Sequence, residues 1–319
     1  MTVLVTGGCG LVGSFAVREA LRQGVRVVAF DRAIKMELLD DVAAQVSFVQ
    51  GDILRPVDLV AALREHAVTR VLHTASFLTP GAYAQPYASA ETTLMGTLNI
   101  LEAARVLDIE RVCYVSTGKT AWTGAAFAQA IPTGKLDIDA DPYTSAKVGA
   151  ELLCNDYAKK YGMHIPILRL GGQVFGPGIA FTGAIGQGLK DLLEKPLRGE
   201  AVRLDAPILP FSAPVMPMLY AADAGRGCMQ ATLADHLEHQ VFNIMPQEAC
   251  TLAEVVELIR ELLPQAQIEV PASDLKGGPV EIDARAEAEF GYAPRYDARR
   301  GLQEYLAFLR EGRYGELAA

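Results

Sequence analysis

Short apolar runs alternate with longer amphipathic segments along the first 170 residues of the chain. Apolar residues that recur every three or four positions are typical of helices, whereas short β-branched runs bounded by Gly, Asp, Pro or Ser are typical of buried strands. The pattern predicts six strands, at Thr2–Thr6, Val25–Phe30, Val46–Gln50, Val71–Thr74, Arg111–Ser116 and Ile165–Leu170. It predicts helices near Leu11–Gln23, Pro56–His66, Ser89–Leu107 and Tyr143–Tyr161. Such strand–helix repeats predict an α/β fold with a doubly wound parallel sheet.

The pattern changes after Gly171, where glycine and proline become more frequent. Residues 207–217 contain four prolines, so we expect neither a helix nor a central strand there. Helices are predicted again near Ala222–Ala234, Leu252–Leu263 and Asp297–Leu309, and a strand at Val241–Ile244 is predicted to return to the main sheet. We expect a first domain of residues 1–170, with return elements near 215–250, and a smaller, irregular lobe within residues 171–319.

The composition limits the classes of partner. Half of the residues are hydrophobic and 21% are charged, which is typical of a packed globular protein. A net charge of -9 argues against nucleic acid and for a small-molecule substrate. The five cysteines are scattered and form no C-x-x-C pair, so neither disulfides nor a metal site is expected. Without a leader pattern or a membrane-spanning apolar stretch, the expected location is the cytoplasm, with no membrane partner.

A glycine-rich turn follows the first predicted strand and opens the first predicted helix. Its sequence, T-G-G-C-G-L-V-G at residues 6–13, fits the spacing G-x-x-G-x-x-G. Glycines allow the backbone to approach a pyrophosphate closely, and the helix N-terminus adds N–H groups and the positive end of its dipole. The candidate phosphate-binding residues are Gly7, Gly10, Leu11, Val12 and Gly13. A glycine turn that serves packing alone is the alternative.

Two acidic residues follow the second and third strands, at the sheet edge where ligands of open α/β sheets bind. Asp31 stands where a carboxylate accepts hydrogen bonds from the adenosine ribose and repels a 2′-phosphate, so NAD is favoured over NADP. Arg32 weakens this preference, because an arginine can pair with that phosphate. Asp52, followed by Ile53, is assigned to the adenine amino group, with a turn or N-cap role as the alternative.

A tyrosine and a lysine, Tyr143 and Lys147, stand one helical turn apart after the helix-start signal Asp141-Pro142. A free tyrosine has a pKa of about 10, and lowering it by about three units takes on the order of 4 kcal/mol of phenolate stabilisation. An adjacent ammonium and a positive nicotinamide ring can supply this energy. Tyr143 would then take a proton from a substrate hydroxyl, or return it, as a hydride moves.

Ser116 and Thr117 end the fifth strand, and either hydroxyl could position the reacting oxygen against Tyr143. Ordinary turn chemistry, which Ser, Thr and Gly favour, is the alternative. Lys119 is a further candidate that would act through its charge alone.

These motifs stand in a fixed order with further ones along nearly the full chain. The further motifs are V-L-H-T-A-S, G-T-L-N-I-L-E-A-A-R, Y-V-S-T-G, V-F-G-P-G, Y-A-A-D-A, V-F-N-I and F-G-Y-A-P. Together they resemble the extended short-chain dehydrogenase/reductase superfamily, in its NAD-dependent epimerase/dehydratase branch. The resemblance implies a Rossmann-like NAD-binding domain in residues 1–170 and a mainly substrate-binding lobe in residues 171–319.

The resemblance also assigns roles to individual residues. It implies Tyr143 as acid and base, Lys147 as modifier of its pKa and as a ribose ligand, and a catalytic hydroxyl at Thr117 or Ser116. It further implies Ala75 as a residue lining the cofactor after the fourth strand. A homodimer is implied through the helices Ser89–Leu107 and Tyr143–Tyr161.

Several positions depart from the pattern of this family. Counting back from Trp122 places Gly118 in the catalytic hydroxyl position, whereas counting forward from the strand places Thr117 there. Thr93 stands where the family often has Asn. Gly118 and Lys119 replace the Asp-Glu pair of sugar 4,6-dehydratases, so dehydration is disfavoured. Residues 211–218 are neutral and lack the arginine that clamps a diphosphate, so smaller or more apolar substrates stay open beside nucleotide sugars.

Two classes of function follow from these residues. The first is an NAD-dependent oxidoreductase or epimerase that acts at a secondary alcohol or ketone of a sugar or related small molecule. The second is a dinucleotide-sensing regulatory protein without catalysis, which retention of both Tyr143 and Lys147 disfavours.

Overall fold

The structure, a computed structural model, describes residues 1–120, 141–178, 184–203, 215–270 and 274–311, without the side chains of residues 79, 80 and 184–187. Trp122 and residues 207–214 of the proline-rich stretch therefore lie outside the described residues. The strands are β1 Thr2–Thr6, β2 Arg26–Asp31, β3 Ser47–Gln50, β4 Arg70–His73, β5 Arg111–Thr117, β6 Ile167–Leu170, β7 Gln173–Phe175, β8 Val202–Arg203, β9 Met216–Tyr220, β10 Val241–Ile244, β11 Glu248–Cys250, β12 Ile268–Glu269 and β13 Gly278–Pro279.

Helices connect these strands. They are α1 Leu11–Arg22, α2 Pro56–Glu65, α3 Thr79–Ala84, α4 Pro86–Ala90, α5 Gly96–Val106, α6 Pro142–Tyr161, α7 Ala184–Leu197, α8 Ala221–Leu233, α9 Leu252–Leu262, α10 Ala284–Phe290 and α11 Ala298–Glu311. A 3₁₀ helix spans Asp40–Gln45, and a π-helical turn spans Glu91–Met95. In the parts of the chain that the structure describes, no helix is both long and apolar enough to cross a membrane.

Seven strands form the main sheet in the order β10-β6-β5-β4-β1-β2-β3, and every neighbouring pair is parallel. This arrangement confirms the predicted Rossmann-like sheet, including all six strands and the returning strand Val241–Ile244. The chain moves outward from β1 to β3 and then crosses to β4 on the other side of β1. The carboxyl ends of β1 and β4 therefore flank the crevice where doubly wound sheets bind ligands.

Apolar clusters cover both faces of the main sheet. One face buries alternate residues such as Val3, Val5 and Leu72 under α1 and α8, and the other buries Leu4 and Val71 under α2, α5 and α6. A strand buried on both faces has no polar side, which is why these strands form continuous apolar runs in the sequence. A third cluster lies among residues 174–309 and extends to Leu11 and Phe15 of α1.

Three features of the structure differ from the sequence prediction. The predicted single helix Ser89–Leu107 is divided by the π-helical turn Glu91–Met95. Helices α3, α7 and α10 were not predicted. The strands outside the main sheet were also not predicted, and most of them have only two or three residues, which is too few to show a period.

The expectation that the whole stretch 207–217 excludes a central strand is wrong at its end. Met216 and Pro217 begin β9, which lies between β7 and β11 in the four-stranded sheet of the lobe. Pro217 is tolerated because it is paired with β11 alone, and pairing with β7 begins at Met218.

Candidate active site

The glycine turn between β1 and α1 is closed by a hydrogen bond from the Gly10 N–H to the Gly7 carbonyl oxygen, at 2.9 Å. Gly7 has a φ of +67°, and a Cβ there would lie 2.8 Å from Thr74 Oγ1. A Cβ at Gly13 would lie 2.1 Å from the Gly7 carbonyl oxygen. The turn therefore needs glycine at both positions, and it lies directly against Thr74 and Ala75, which follow β4.

The start of α1 suits an anion. Gly10 is the N-cap residue, no side chain caps the helix, and the first turn contains no acidic residue. The N–H groups of Leu11, Val12 and Gly13 stand at this helix start, where the dipole is positive. These residues fit the pyrophosphate of a dinucleotide, and a capping carboxylate does not compete for the position.

Asp31, the last residue of β2, is held against the glycine turn. Its Oδ2 accepts a hydrogen bond from the Cys9 N–H at 3.1 Å, and its Oδ1 accepts one from the Ala33 N–H at 3.3 Å. Each carboxylate oxygen retains a further lone pair for a ribose hydroxyl. Arg32 is exposed beside it.

Asp52 and Ile53 follow β3, and both form hydrogen bonds within the protein. Asp52 Oδ1 accepts the Leu54 N–H at 2.9 Å, which is the turn role that the sequence left open as the alternative. Ile53 is buried, and its carbonyl oxygen accepts a hydrogen bond from Asn99 Nδ2 at 2.9 Å. Ala75 lies near the glycine turn, with its N–H 3.4 Å from Thr6 Oγ1.

Tyr143 and Lys147 are both buried on one face of α6, with exposed fractions of 9% and 3%. The helix begins at Pro142, and Asp141 caps it by accepting the Thr144 N–H at 2.7 Å. Lys147 Nζ donates to the Val115 carbonyl oxygen at 2.8 Å and lies 6.0 Å from the centroid of the Tyr143 ring. The amine is thus anchored to β5, on the face of α6 that also carries the tyrosine ring.

Burial dominates the titration of this pair. Burial raises the pKa of Tyr143 to about 12, and a hydrogen bond with the Thr117 side chain partly opposes this rise. Burial lowers the pKa of Lys147 to about 8, and the carboxylate of Glu151 opposes the fall. The depressed tyrosine pKa expected from the sequence is therefore not produced by the protein's own groups, because desolvation disfavours the phenolate.

The two hydroxyls at the end of β5 differ in their surroundings. Thr117 is partly exposed and hydrogen-bonds Tyr143 through its side chain. Ser116 is buried, and its Oγ has no hydrogen-bond partner within the described residues. This geometry favours Thr117 over Ser116 as the partner of the tyrosine. Lys119 Nζ pairs instead with Asp141 Oδ2 at 2.9 Å.

The sequence interpretation missed His73, the last residue of β4. Its ring lies between two hydroxyls, with Thr6 Oγ1 2.7 Å from Nδ1 and Thr97 Oγ1 3.1 Å from Nε2. Burial lowers the pKa of His73 to about 3, and the charge of Lys147 adds to this effect. The neutral imidazole therefore hydrogen-bonds Thr6, which precedes Gly7, and it lies close enough to Lys147 for the lysine charge to lower its pKa.

A second missed group is the buried carboxylate of Glu151, which hydrogen-bonds Arg169 and Thr120. The sequence signal for Glu151 was its position four residues after Lys147, because Lys147 also stands four residues after Tyr143. No group of His, Cys, Asp and Glu that could hold a metal ion occurs within the described ranges.

The parallel sheet, its switch point and the glycine turn before α1 define a dinucleotide-binding protein. Residues 3–244 match the model of the NAD dependent epimerase/dehydratase family, so the chain belongs to that family. Membership confirms the family resemblance and the expectation of an NAD-dependent enzyme.

Individual relatives are distant. The chain is 28% identical to the UDP-glucose 4-epimerase of Halalkalibacterium halodurans over 170 residues, which are 53% of this chain and 50% of that protein. The alignment with this curated relative thus spans about half of its length. The UDP-glucose 4-epimerase of Thermus thermophilus in complex with NAD has a similar fold, with a TM-score of 0.76, 25% identity and coverage of 98% of this chain and 99% of that one. A GalE-like L-threonine dehydrogenase from Cupriavidus necator, 22% identical with a TM-score of 0.75, covers 97% of this chain and 100% of its own, and shares the fold.

Proposed function

We propose that this protein is an NAD-dependent oxidoreductase or epimerase of the extended short-chain type. It acts at a secondary alcohol or ketone carbon of a sugar or related small molecule. The observation that carries the proposal is the buried pair Tyr143 and Lys147, with Thr117 hydrogen-bonded to the tyrosine at the carboxyl end of β5. His73 connects the surroundings of this pair to Thr6, which immediately precedes the glycine turn.

The cofactor NAD would be held by residues at or just after the ends of β1, β2, β3 and β4 and by one residue of α6. Gly7, Gly10, Leu11, Val12 and Gly13 would hold the pyrophosphate, because the glycines allow close backbone approach and the N–H groups of Leu11, Val12 and Gly13 stand at the start of α1. The remaining candidates are Asp31 for the ribose with Arg32 beside it, Asp52 and Ile53 for the adenine, Ala75 as lining, and Lys147 for the second ribose. Bound NAD supplies the acceptor or donor of a hydride.

The chain's own residues would move the proton. Tyr143 takes the proton from the substrate hydroxyl oxygen as the carbon is oxidised, and returns it on reduction. Thr117 orients the reacting oxygen and stabilises the phenolate by its hydrogen bond, with Ser116 as the alternative hydroxyl. Lys147, protonated and fixed to Val115, lowers the energy of the phenolate by its positive charge.

The proposal is tested by incubating the purified protein with NAD and a panel of alcohols, sugar acids, nucleotide sugars and hydrophobic ketones. A dehydrogenase forms NADH in proportion to the alcohol consumed, whereas an epimerase forms the epimer with no net NADH. In a thermal-shift assay we expect NAD to stabilise the protein more than NADP, because Asp31 repels a 2′-phosphate. Failure to bind NAD, together with no conversion of any substrate, would contradict the proposal.

The organisation of the chain follows the same proposal. Residues 1–170 with return elements near 215–250 would bind NAD, and residues 171–319 would mainly shape the substrate site. We place the protein in the cytoplasm, which is supported by five buried cysteines that form no disulfide.

We further propose a homodimer through α5 and α6. These helices are joined side by side by a hydrogen bond from the Tyr157 hydroxyl to Glu102, at 2.6 Å. They carry exposed apolar side chains, including Val106 and Leu152. Exposed apolar patches of this kind mark protein interfaces.

Replacing Leu152 with glutamate is expected to convert the dimer to a monomer, because the charge would be buried in the interface. Light scattering after size-exclusion chromatography measures the mass. Val57→Glu on α2 is the control, since Val57 is 64% exposed and Leu152 is 63% exposed. A wild-type protein that is already monomeric would exclude the proposed interface.

A further inference from the structure

Glu151 extends the face of α6 that carries Tyr143 and Lys147, because the three residues are spaced four apart. Only 8% of Glu151 is exposed. Its carboxylate accepts hydrogen bonds from Arg169 Nε at 3.0 Å, Arg169 Nη2 at 2.6 Å and Thr120 Oγ1 at 2.9 Å. Burial of a carboxylate is unfavourable unless it is hydrogen-bonded and paired with a positive charge, and Glu151 has both kinds of partner.

The partners of Glu151 come from β6 and from the residues that directly follow β5. Arg169 is in β6, opposite Ser116 of β5. The Thr120 hydroxyl, which contacts the Glu151 carboxylate, also lies 2.8 Å from the Thr117 carbonyl oxygen. The carboxylate thus connects α6 to the carboxyl end of β5, at the residue that hydrogen-bonds Tyr143.

Charged groups are few around Lys147. The groups that face it are Glu151 and Cys154 from α6, His73 from β4, and the rings of Tyr114 and Tyr143. Burial keeps the imidazole and the Cys154 thiol neutral at ordinary pH, by lowering the pKa of the first to about 3 and raising that of the second. Glu151 is therefore the carboxyl group that faces Lys147 in the described part of the chain.

We propose that Glu151 is a positioning residue, which fixes the Tyr143–Lys147 face of α6 against the ends of β5 and β6 and holds the Lys147 amine in its charged form. The inference rests on the function proposed above, in which a charged Lys147 stabilises the phenolate. Since burial already lowers the pKa of Lys147 to about 8, loss of the carboxylate would lower it further. Activity that needs the charged amine would then be lost at a lower pH.

The variant Glu151→Gln tests this role, because it keeps the shape of the side chain and removes its charge. We expect the Lys147 titration midpoint, followed by NMR of ¹³C-labelled lysine and assigned with Lys147→Arg, to fall by about 1 pH unit or more. The pH at which kcat declines on the alkaline side should decrease by a similar amount. Glu151→Asp keeps the carboxylate but shortens the side chain by one methylene, so it should give a smaller shift of the same sign. This variant allows the measurement if Glu151→Gln does not fold.

Glu19→Gln is the matched control, because Glu19 is also a buried helical carboxylate paired with an arginine, Arg22, but does not face Lys147. It should leave the Lys147 midpoint unchanged. A folded Glu151→Gln variant with a wild-type midpoint would overturn the proposal, as would a Glu151→Asp variant with no shift when the glutamine variant is unfolded. The NMR midpoint needs no turnover, so it distinguishes failure of this inference from failure of the proposed function.

Discussion

Replacing Tyr143 with phenylalanine is expected to lower turnover by roughly 10²- to 10⁴-fold, the usual contribution of a positioned acid or base. The substitution removes the phenol oxygen and keeps the ring, which is buried at the start of α6. Without that oxygen no side chain at this position can take the proton of the substrate hydroxyl. Steady-state assays with the best substrate of the panel measure the effect.

NAD affinity should stay close to that of the wild type in the Tyr143→Phe variant, because the proposed cofactor ligands lie mainly at the ends of β1 to β4. Tyr157→Phe is the control: it removes the same oxygen atom from the same helix, where the hydroxyl donates to Glu102. Wild-type turnover in Tyr143→Phe would exclude the proposed acid–base role. Unchanged biological activity with no measurable turnover would favour the dinucleotide sensor.

Replacing Gly13 with alanine is expected to weaken NAD binding by roughly 10- to 100-fold, in line with about 1–3 kcal/mol for overpacking. The added Cβ would lie 2.1 Å from the Gly7 carbonyl oxygen. Its nearest atoms all belong to the backbone of Gly7 and Gly8, which cannot move aside as a side chain does. The turn must open, which displaces the N–H groups at the start of α1. Isothermal titration with NAD and the melting temperature measure the loss.

Gly278→Ala provides the control for this prediction. No atom of the described residues lies within 4 Å of a Cβ built at Gly278, and its φ is not in the left-handed region, so the same methyl group is accommodated there. We expect its NAD affinity and melting temperature to match the wild type. If Gly13→Ala also matched the wild type, the glycine turn would not be the phosphate site.

The pair Tyr143 and Lys147 shows how burial can oppose a simple electrostatic expectation. From the sequence, an ammonium one turn away lowers the pKa of a tyrosine. In the folded chain Lys147 donates to Val115 and its Nζ lies 6.0 Å from the Tyr143 ring centroid, whereas desolvation acts on the whole phenol. Packing sets both the distance of the Lys147 amine from the Tyr143 ring and the burial of the phenol. The spacing of the two residues along the helix does not determine either quantity.

The sequence by itself determined the main sheet and the places of its candidate residues. All six predicted strands form, because a strand buried on two faces must be apolar along its length, and this requirement is visible locally. The glycine turn and the acids Asp31 and Asp52 were located for a similar reason: parallel strands end at one edge, so residues after successive strands meet there.

Only the tertiary structure decided which of two neighbouring hydroxyls contacts Tyr143. It also revealed the hydrogen bonds of Glu151 beside them. Adjacent residues of a strand point to opposite faces, so which of Ser116 and Thr117 meets Tyr143 depends on the register and twist of β5 beneath α6. Glu151, Arg169 and Thr120 belong to α6, to β6 and to the residues that follow β5, which are separated along the chain. Their contacts arise from packing between elements, because no local periodicity encodes which buried charges will meet.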